Sequence, residues 1–132
     1  MSNRDLAKRW FEEVWNLRRA ETVDELMSPE SVGYMEGGVV RGPGDFKAAR
    51  AALLYAFPDL QVTVEDTVAE GDKVVVRWSA SGRHSGPGLG FPASGREASF
   101  RGMTWLIFSN GKIVQGWDSW NLGRLLQELS AG

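Results

Sequence analysis

The amino-acid sequence predicts an α+β domain, a curved antiparallel β-sheet wrapped around helices near the N-terminus. Three observations lead to it. Apolar residues recur at helical spacing through the opening stretch, and from Leu60 onward they alternate with polar ones. Late in the chain, Asn110-Gly111 separates two runs rich in β-branched and aromatic residues, the strongest short-range signal for a hairpin.

Taken in order, Ser2-Asn3-Arg4-Asp5 forms a capping box, since Ser2 and Asp5 can each satisfy a backbone N–H of the other. Leu6, Ala7, Trp10, Phe11, Val14 and Leu17 then share one face, which predicts a helix from Asn3 to Arg19. A short helix follows from Thr22 to Met27, and a strand from Ser31 to Met35 turns at Gly37-Gly38 into Val39-Val40-Arg41. Gly42-Pro43-Gly44-Asp45 opens a third helix with Phe46, Ala49, Leu53, Leu54 and Phe57 on its buried stripe, and Pro58 ends it. Leu60, Val62 and Val64 mark a half-buried strand, Glu70-Gly71-Asp72 a turn, and Lys73 to His84 a long strand. Ser85 to Gly95, with its glycines and prolines, reads as an irregular loop, a mobile lid or a plain connector. The closing hairpin and a terminal helix, NLGRLLQEL, complete the chain.

At 132 residues, with 42% hydrophobic and 24% charged, the sequence reads as one soluble domain spanning 1–132. It has no cysteine, so disulfides and thiolate metal sites are excluded and a cytoplasmic setting is expected. A net charge of −2 argues against nucleic acid as partner. The longest apolar run, Ala51 to Phe57, falls far short of the ~20 residues that span a bilayer, so no membrane association is expected.

Candidate site residues come from the hairpin. If Asn110 and Gly111 fill a two-residue turn and both strands are regular, Asp118 lies opposite Met103 and Trp120 opposite Arg101. Arg101, Met103, Trp105, Ile107, Val114, Gly116, Asp118 and Trp120 then share one face, with Leu106, Thr104, Gln115, Trp117 and Ser119 on the other. A carboxylate among tryptophans is costly without a partner or a task. Asp118 is therefore the candidate acid/base. Arg101 is its partner or an oxyanion clamp, and His84, the one histidine, is a second acid/base or a carbonyl polariser. Trp10, Trp15, Trp78, Trp105 and Trp120, with Met103, would wall a pocket for a flat ligand. One histidine with no cysteine makes a transition-metal site improbable.

The segments Ala56-Phe57-Pro58-Asp59-Leu60, Gly71-Asp72-Lys73-Val74-Val75-Val76-Arg77-Trp78, Gly82-Arg83-His84-Ser85-Gly86 and Gly111-Lys112-Ile113-Val114-Gln115-Gly116-Trp117-Asp118 resemble the SnoaL-like polyketide cyclases, in order and spacing from about Trp10 to Leu129. The resemblance implies a conical fold like that of nuclear transport factor 2, with a pocket between sheet and helices and a homodimer formed through the sheet's outer face. It implies aldol-type ring closure, or a related isomerisation, on a hydrophobic carbonyl compound such as a polyketide. An aspartate serves as acid/base, without cofactor or metal. Gln115, Gly116 and Asn121 stand where family members often carry Glu, His and Asp, so the family's aspartate corresponds either to Asp118 or to Asn121; strand alternation favours Asp118. Tyr34 and Glu36 fall near the expected pocket mouth, where related isomerases keep a carboxylate base. The alternatives are a binding protein without chemistry and an epoxide hydrolase-like activity, which needs an Asp-Arg-Asp set.

Overall fold

In the computed structural model, which describes residues 1–130, six strands form a single curved sheet in the order β2-β1-β6-β5-β4-β3. The strands are β1 (Met27–Met35), β2 (Gly38–Arg41), β3 (Gln61–Glu70), β4 (Lys73–Arg83), β5 (Glu97–Ser109) and β6 (Lys112–Trp120). The helices are α1 (Asn3–Trp10), α2 (Glu21–Leu26), α3 (Gly42–Ala56) and α4 (Leu122–Ser130). Pairing is antiparallel except that β1 runs parallel to β6, which joins the N-terminal hairpin to the C-terminal one. Among the described residues no helix is long and apolar enough to cross a membrane.

The capping box forms as read: Asp5 N–H donates to Ser2 Oγ at 3.1 Å, and Ser2 N–H to Asp5 Oδ2 at 3.3 Å. The helix it opens does not run regularly to Arg19. At Phe11 it widens into a π-helical segment, Phe11–Asn16, after which Leu17 N–H reaches Glu12 C=O at 2.9 Å. The extra residue in the turn rotates Leu17 outward, where it is 50% exposed, and brings Trp15 into the core. Two groups tie this segment to its surroundings. Arg50 of α3, itself buried, donates from Nε to Val14 C=O at 3.0 Å. Asn16 pairs with the backbone of Val62 on edge strand β3, donating to its C=O at 2.7 Å and accepting from its N–H at 2.8 Å.

The concave face of the sheet carries Val74, Val76, Trp78 and Ala80 from β4 and Ala98, Leu106 and Phe108 from β5, all buried; α1 packs on β3 and β4, the π segment on β3, and α3 on β1 and β2. The turn at Asn110-Gly111 is as expected, with Ser109 facing Lys112, Phe108 facing Ile113, and Asn110 at φ 50° and Gly111 at φ 77°. Beyond it a β-bulge intervenes: Ile107 pairs with Gln115, leaving Val114 as an extra residue in β6. From there Thr104 faces Asp118, Met103 faces Ser119 and Gly102 faces Trp120. The bulge reverses the expected assignment of β5. Arg101, Met103 and Trp105 point outward, Met103 being 53% and Trp105 45% exposed, while Thr104 and Leu106 turn inward.

The Ser85–Gly95 loop is fastened rather than free. His84 N–H donates to Arg96 C=O and Gly95 N–H to His84 C=O, both at 2.8 Å, and Gly86 N–H reaches Ala56 C=O at 3.3 Å. A side chain at Gly86 would collide with Tyr55 C=O, so the approach of loop to α3 requires glycine.

Asn16 substitutes for a missing strand along the edge of β3. Replacing it by alanine strands two backbone groups of Val62, and Asn16→Ala should lower stability by about 1–3 kcal/mol. The measurement is the denaturant midpoint at unchanged m-value; an unchanged midpoint would show that water serves Val62 equally well.

Candidate functional site

Between the concave face and the helices lies a cavity of about 100 Å³. Its walls are mostly aromatic and aliphatic: Trp10, Phe11 and Trp15 from the N-terminal helix, Phe46 and Leu53 from α3, and Trp78, Phe100 and Trp120 from the sheet. The polar side chains on it include Ser31, Thr104 and Asp118.

Asp118 projects into this space because β6, after the bulge, turns Gly116, Asp118 and Trp120 to the inside. Its carboxylate is held by a short chain of hydrogen bonds across three strands. Trp78 Nε1–H donates to Thr104 Oγ1 at 2.9 Å, and Thr104 Oγ1–H donates to Asp118 Oδ1 at 2.6 Å. With its lone pair taken by the indole, the Thr104 hydroxyl has its proton aimed at the carboxylate. Gly102 makes room for this arrangement. A Cβ there would lie 2.8 Å from Trp78 Cζ2, 2.7 Å from Trp120 Cβ and 2.6 Å from Ser119 C=O, so the Trp78 indole and the Cβ of Trp120 close over a residue without a side chain.

Burial is the main influence on Asp118 and raises its pKa above the ordinary 3.8; the Thr104 hydrogen bond opposes this, and the negative charge of Glu36 adds to it. The expected counterion is absent from the site, because Arg101 stands on the outer face. The Asp-Arg-Asp set of an epoxide hydrolase-like centre is therefore not assembled around Asp118.

The other expected residues divide. Trp10, Trp15, Trp78 and Trp120 line the cavity. Tyr34 borders it, but its ring stacks on Trp117 at 5.5 Å and is 40% exposed. Glu36, just after β1, is exposed and accepts from Trp120 N–H at 3.2 Å. Met103 and Trp105 take no part in the lining, for the reason of parity already given. His84 is fully buried beyond the cavity wall: Phe57 lies 5.5 Å from its ring and 6.2 Å from that of Phe100. Its Nδ1 accepts from Ser94 N–H at 3.2 Å and lies 2.9 Å from Ser94 Oγ, so it holds the loop rather than facing Asp118. Asn121 caps α4, accepting from Arg124 N–H at 2.8 Å. Of the two positions considered for the acid/base, 118 faces the cavity and 121 ends a strand and starts a helix.

Thr104 and Ser31 were not among the expected site residues. Thr104 was assigned to the outer face with the rest of its alternation. Ser31 opened a predicted strand but carried no signal of its own. It is 1% exposed, and its hydroxyl has no hydrogen-bond partner.

The chain matches the family model of the SnoaL-like polyketide cyclases over residues 5–129. No curated protein sequence matches it. Among solved structures, a candidate SnoaL-like polyketide cyclase from Jannaschia sp. CCS1 is 28% identical and superposes with a TM-score of 0.91 over 98% of this chain and 92% of that one. AclR, a candidate hydroxylase from Streptomyces galilaeus, is 30% identical, with a TM-score of 0.84 over 96% and 79% of the two chains. IdmH, a candidate polyketide cyclase from Streptomyces antibioticus, is 26% identical, with a TM-score of 0.86 over 99% and 100%. With the family model matching nearly the whole sequence and the same curved sheet packed on helices in these structures, this chain belongs to the SnoaL-like polyketide cyclase family.

Proposed function

We propose that this protein is a cofactor-independent acid/base enzyme that abstracts a proton next to a carbonyl group of a hydrophobic compound and uses the resulting enolate in an aldol-type ring closure or isomerisation. The observation that carries this reading is the position of Asp118, a carboxylate in an apolar cavity with one oxygen fixed by the Trp78–Thr104 chain. The fixed oxygen orients the group, and the other is free to act. A raised pKa makes the carboxylate a stronger base than a solvated aspartate. In the proposed step Asp118 takes the proton and the C–H electron pair moves into the enolate. The enolate carbon then attacks a second carbonyl of the same molecule, and the new alkoxide recovers the proton from Asp118.

Family membership supports a small-molecule substrate. The cavity volume, about 100 Å³, lies below the roughly 300–1,000 Å³ of drug-sized sites, which favours a slender or partly inserted substrate. A chain without cysteine suits the reducing cytoplasm. A homodimer fits the outer face of the sheet, where Tyr34, Trp117, Trp105 and Met103 lie exposed on neighbouring strands.

The chemistry is tested by deuterium exchange at the carbons flanking the ketone of β-tetralone in heavy water. Asp118→Asn keeps the shape and the Thr104 hydrogen bond, and should slow enzyme-dependent exchange by about 100-fold or more with little change in binding. Equal exchange by both proteins would remove Asp118 from the mechanism. Binding without exchange by either would favour a sequestering protein.

The same variant has a pH signature in stability. Burial raises the Asp118 pKa in the folded state, so between 3.8 and that raised value the folded protein retains a proton that the unfolded chain releases. Stability contributed by this group is thus lost as pH rises through that interval. Asp118→Asn should melt higher than the parent near neutral pH, with the gap narrowing as pH falls from the raised value toward 3.8 and no longer changing below it. A gap independent of pH would contradict a raised folded-state pKa.

For the dimer, sedimentation equilibrium should give about twice the 14.6 kDa chain mass, and Trp105→Arg should return it to that mass. A parent that is monomeric at micromolar concentration would exclude a dimer through this face.

A further inference from the structure

Ser31 is buried to 1% exposure on the cavity wall, and its Oγ has no partner. Native structures rarely leave a buried hydroxyl unsatisfied, because the group gives up its water and receives nothing in return. Thr104 shows the contrast, with its hydroxyl satisfied on both sides. The parallel pairing of β1 with β6 sets Gly33 beside Gly116 and Tyr34 beside Trp117. The next step in that register places Met35 at the level of Asp118. Ser31 stands four residues before Met35, about 13 Å along a strand rising ~3.3 Å per residue. Gly33 and Gly116 lie between the two polar residues and form a floor without side chains. Both glycines lie close to a neighbouring side chain: a Cβ at Gly33 would meet Val40 Cγ2 at 2.9 Å, and one at Gly116 would meet Leu106 Cδ2 at 3.3 Å.

We infer that the Ser31 hydroxyl is the far anchor of the binding site, hydrogen-bonding a hydroxyl or carbonyl oxygen on the end of a flat, elongated, uncharged ligand whose other end reaches Asp118 across the Gly33–Gly116 floor. This rests on the cavity being the substrate site, and it adds a substrate class: molecules with oxygen at both ends and a planar apolar middle. Ser31 acts in binding and has no part in proton transfer.

The test compares β-tetralone with its analogue hydroxylated on the aromatic ring at the end away from the ketone, each binding read by quenching of the cavity tryptophans. The parent protein should bind the hydroxylated analogue about five- to tenfold more tightly, and Ser31→Ala should abolish that preference while leaving β-tetralone affinity unchanged. Asp118→Asn should keep the preference, which separates the anchor from the base. Because the Ser31 hydroxyl makes no bond in the free protein, Ser31→Ala should melt no lower than the parent; a marked fall would reveal a structural hydrogen bond and overturn the assignment. A preference that survives in Ser31→Ala, or equal binding of both probes by the parent, would overturn the anchor while leaving the exchange test of Asp118 intact. Failure of both probes to bind the parent would overturn the anchor together with the cavity as substrate site.

Discussion

An ionised carboxylate in a cavity of tryptophan and aliphatic side chains is a costly group, and the hydrogen bond from Thr104 Oγ1 to Asp118 Oδ1 is what holds it in place. Much of the architecture serves that contact. Trp78 on β4, Thr104 on β5 and Asp118 on β6 each supply one member, so three neighbouring strands must keep register for the chain of donors to close. Gly102 leaves the volume that the Trp78 indole and the Cβ of Trp120 fill, and the two tryptophan rings meet edge to face at 6.3 Å. A neutral hydroxyl orients the carboxylate without cancelling its charge, whereas a guanidinium in the same place would pull the pKa down and weaken the base. The outward position of Arg101 is therefore consistent with basicity at Asp118.

The opposite wall depends on an irregularity in a helix. Where α1 widens into the π segment, Arg50 supplies a side-chain donor to the Val14 carbonyl. Asn16 and Arg18 extend the same function to the sheet edge, Arg18 Nη2 donating to Pro58 and Leu60 carbonyls at 2.9 Å. Trp10, just before the widening, and Trp15, within it, both reach the cavity, and Phe46 packs against both rings at 5.0 and 6.1 Å. A wider helical turn thus places two large side chains on one wall. π-helical turns are often found at functional sites.

Most of the fold was legible because each element announces itself within a few residues. The capping box, Pro58, the alternation after Leu60 and the Asn110-Gly111 turn all depend on local chemistry, and all appear in the structure. Asp118 and Trp120 were legible as inward residues of β6. Their partners on β5 were not, since Val114 is an ordinary strand residue and nothing in its type marks a bulge. One extra residue moved Arg101, Met103 and Trp105 outside and Thr104 inside. The π segment escaped for the same reason, since FEEVWN is compatible with either helical period. His84 was singled out by its chemistry, but its place was decided by Phe57 and Ser94, distant in sequence.

The bulge at Val114 bears on how this gene can change. Substitutions along β6 alter one side chain at a time, and each has a local cost. Loss of Val114 alone would instead remove the bulge and leave a regular hairpin in which Ile113, Gly116 and Asp118 still share the inner face, with Asp118 opposite Thr104. The bulge is thus slack in the spacing from turn to carboxylate: one residue can be given up there without turning Asp118 away from the cavity.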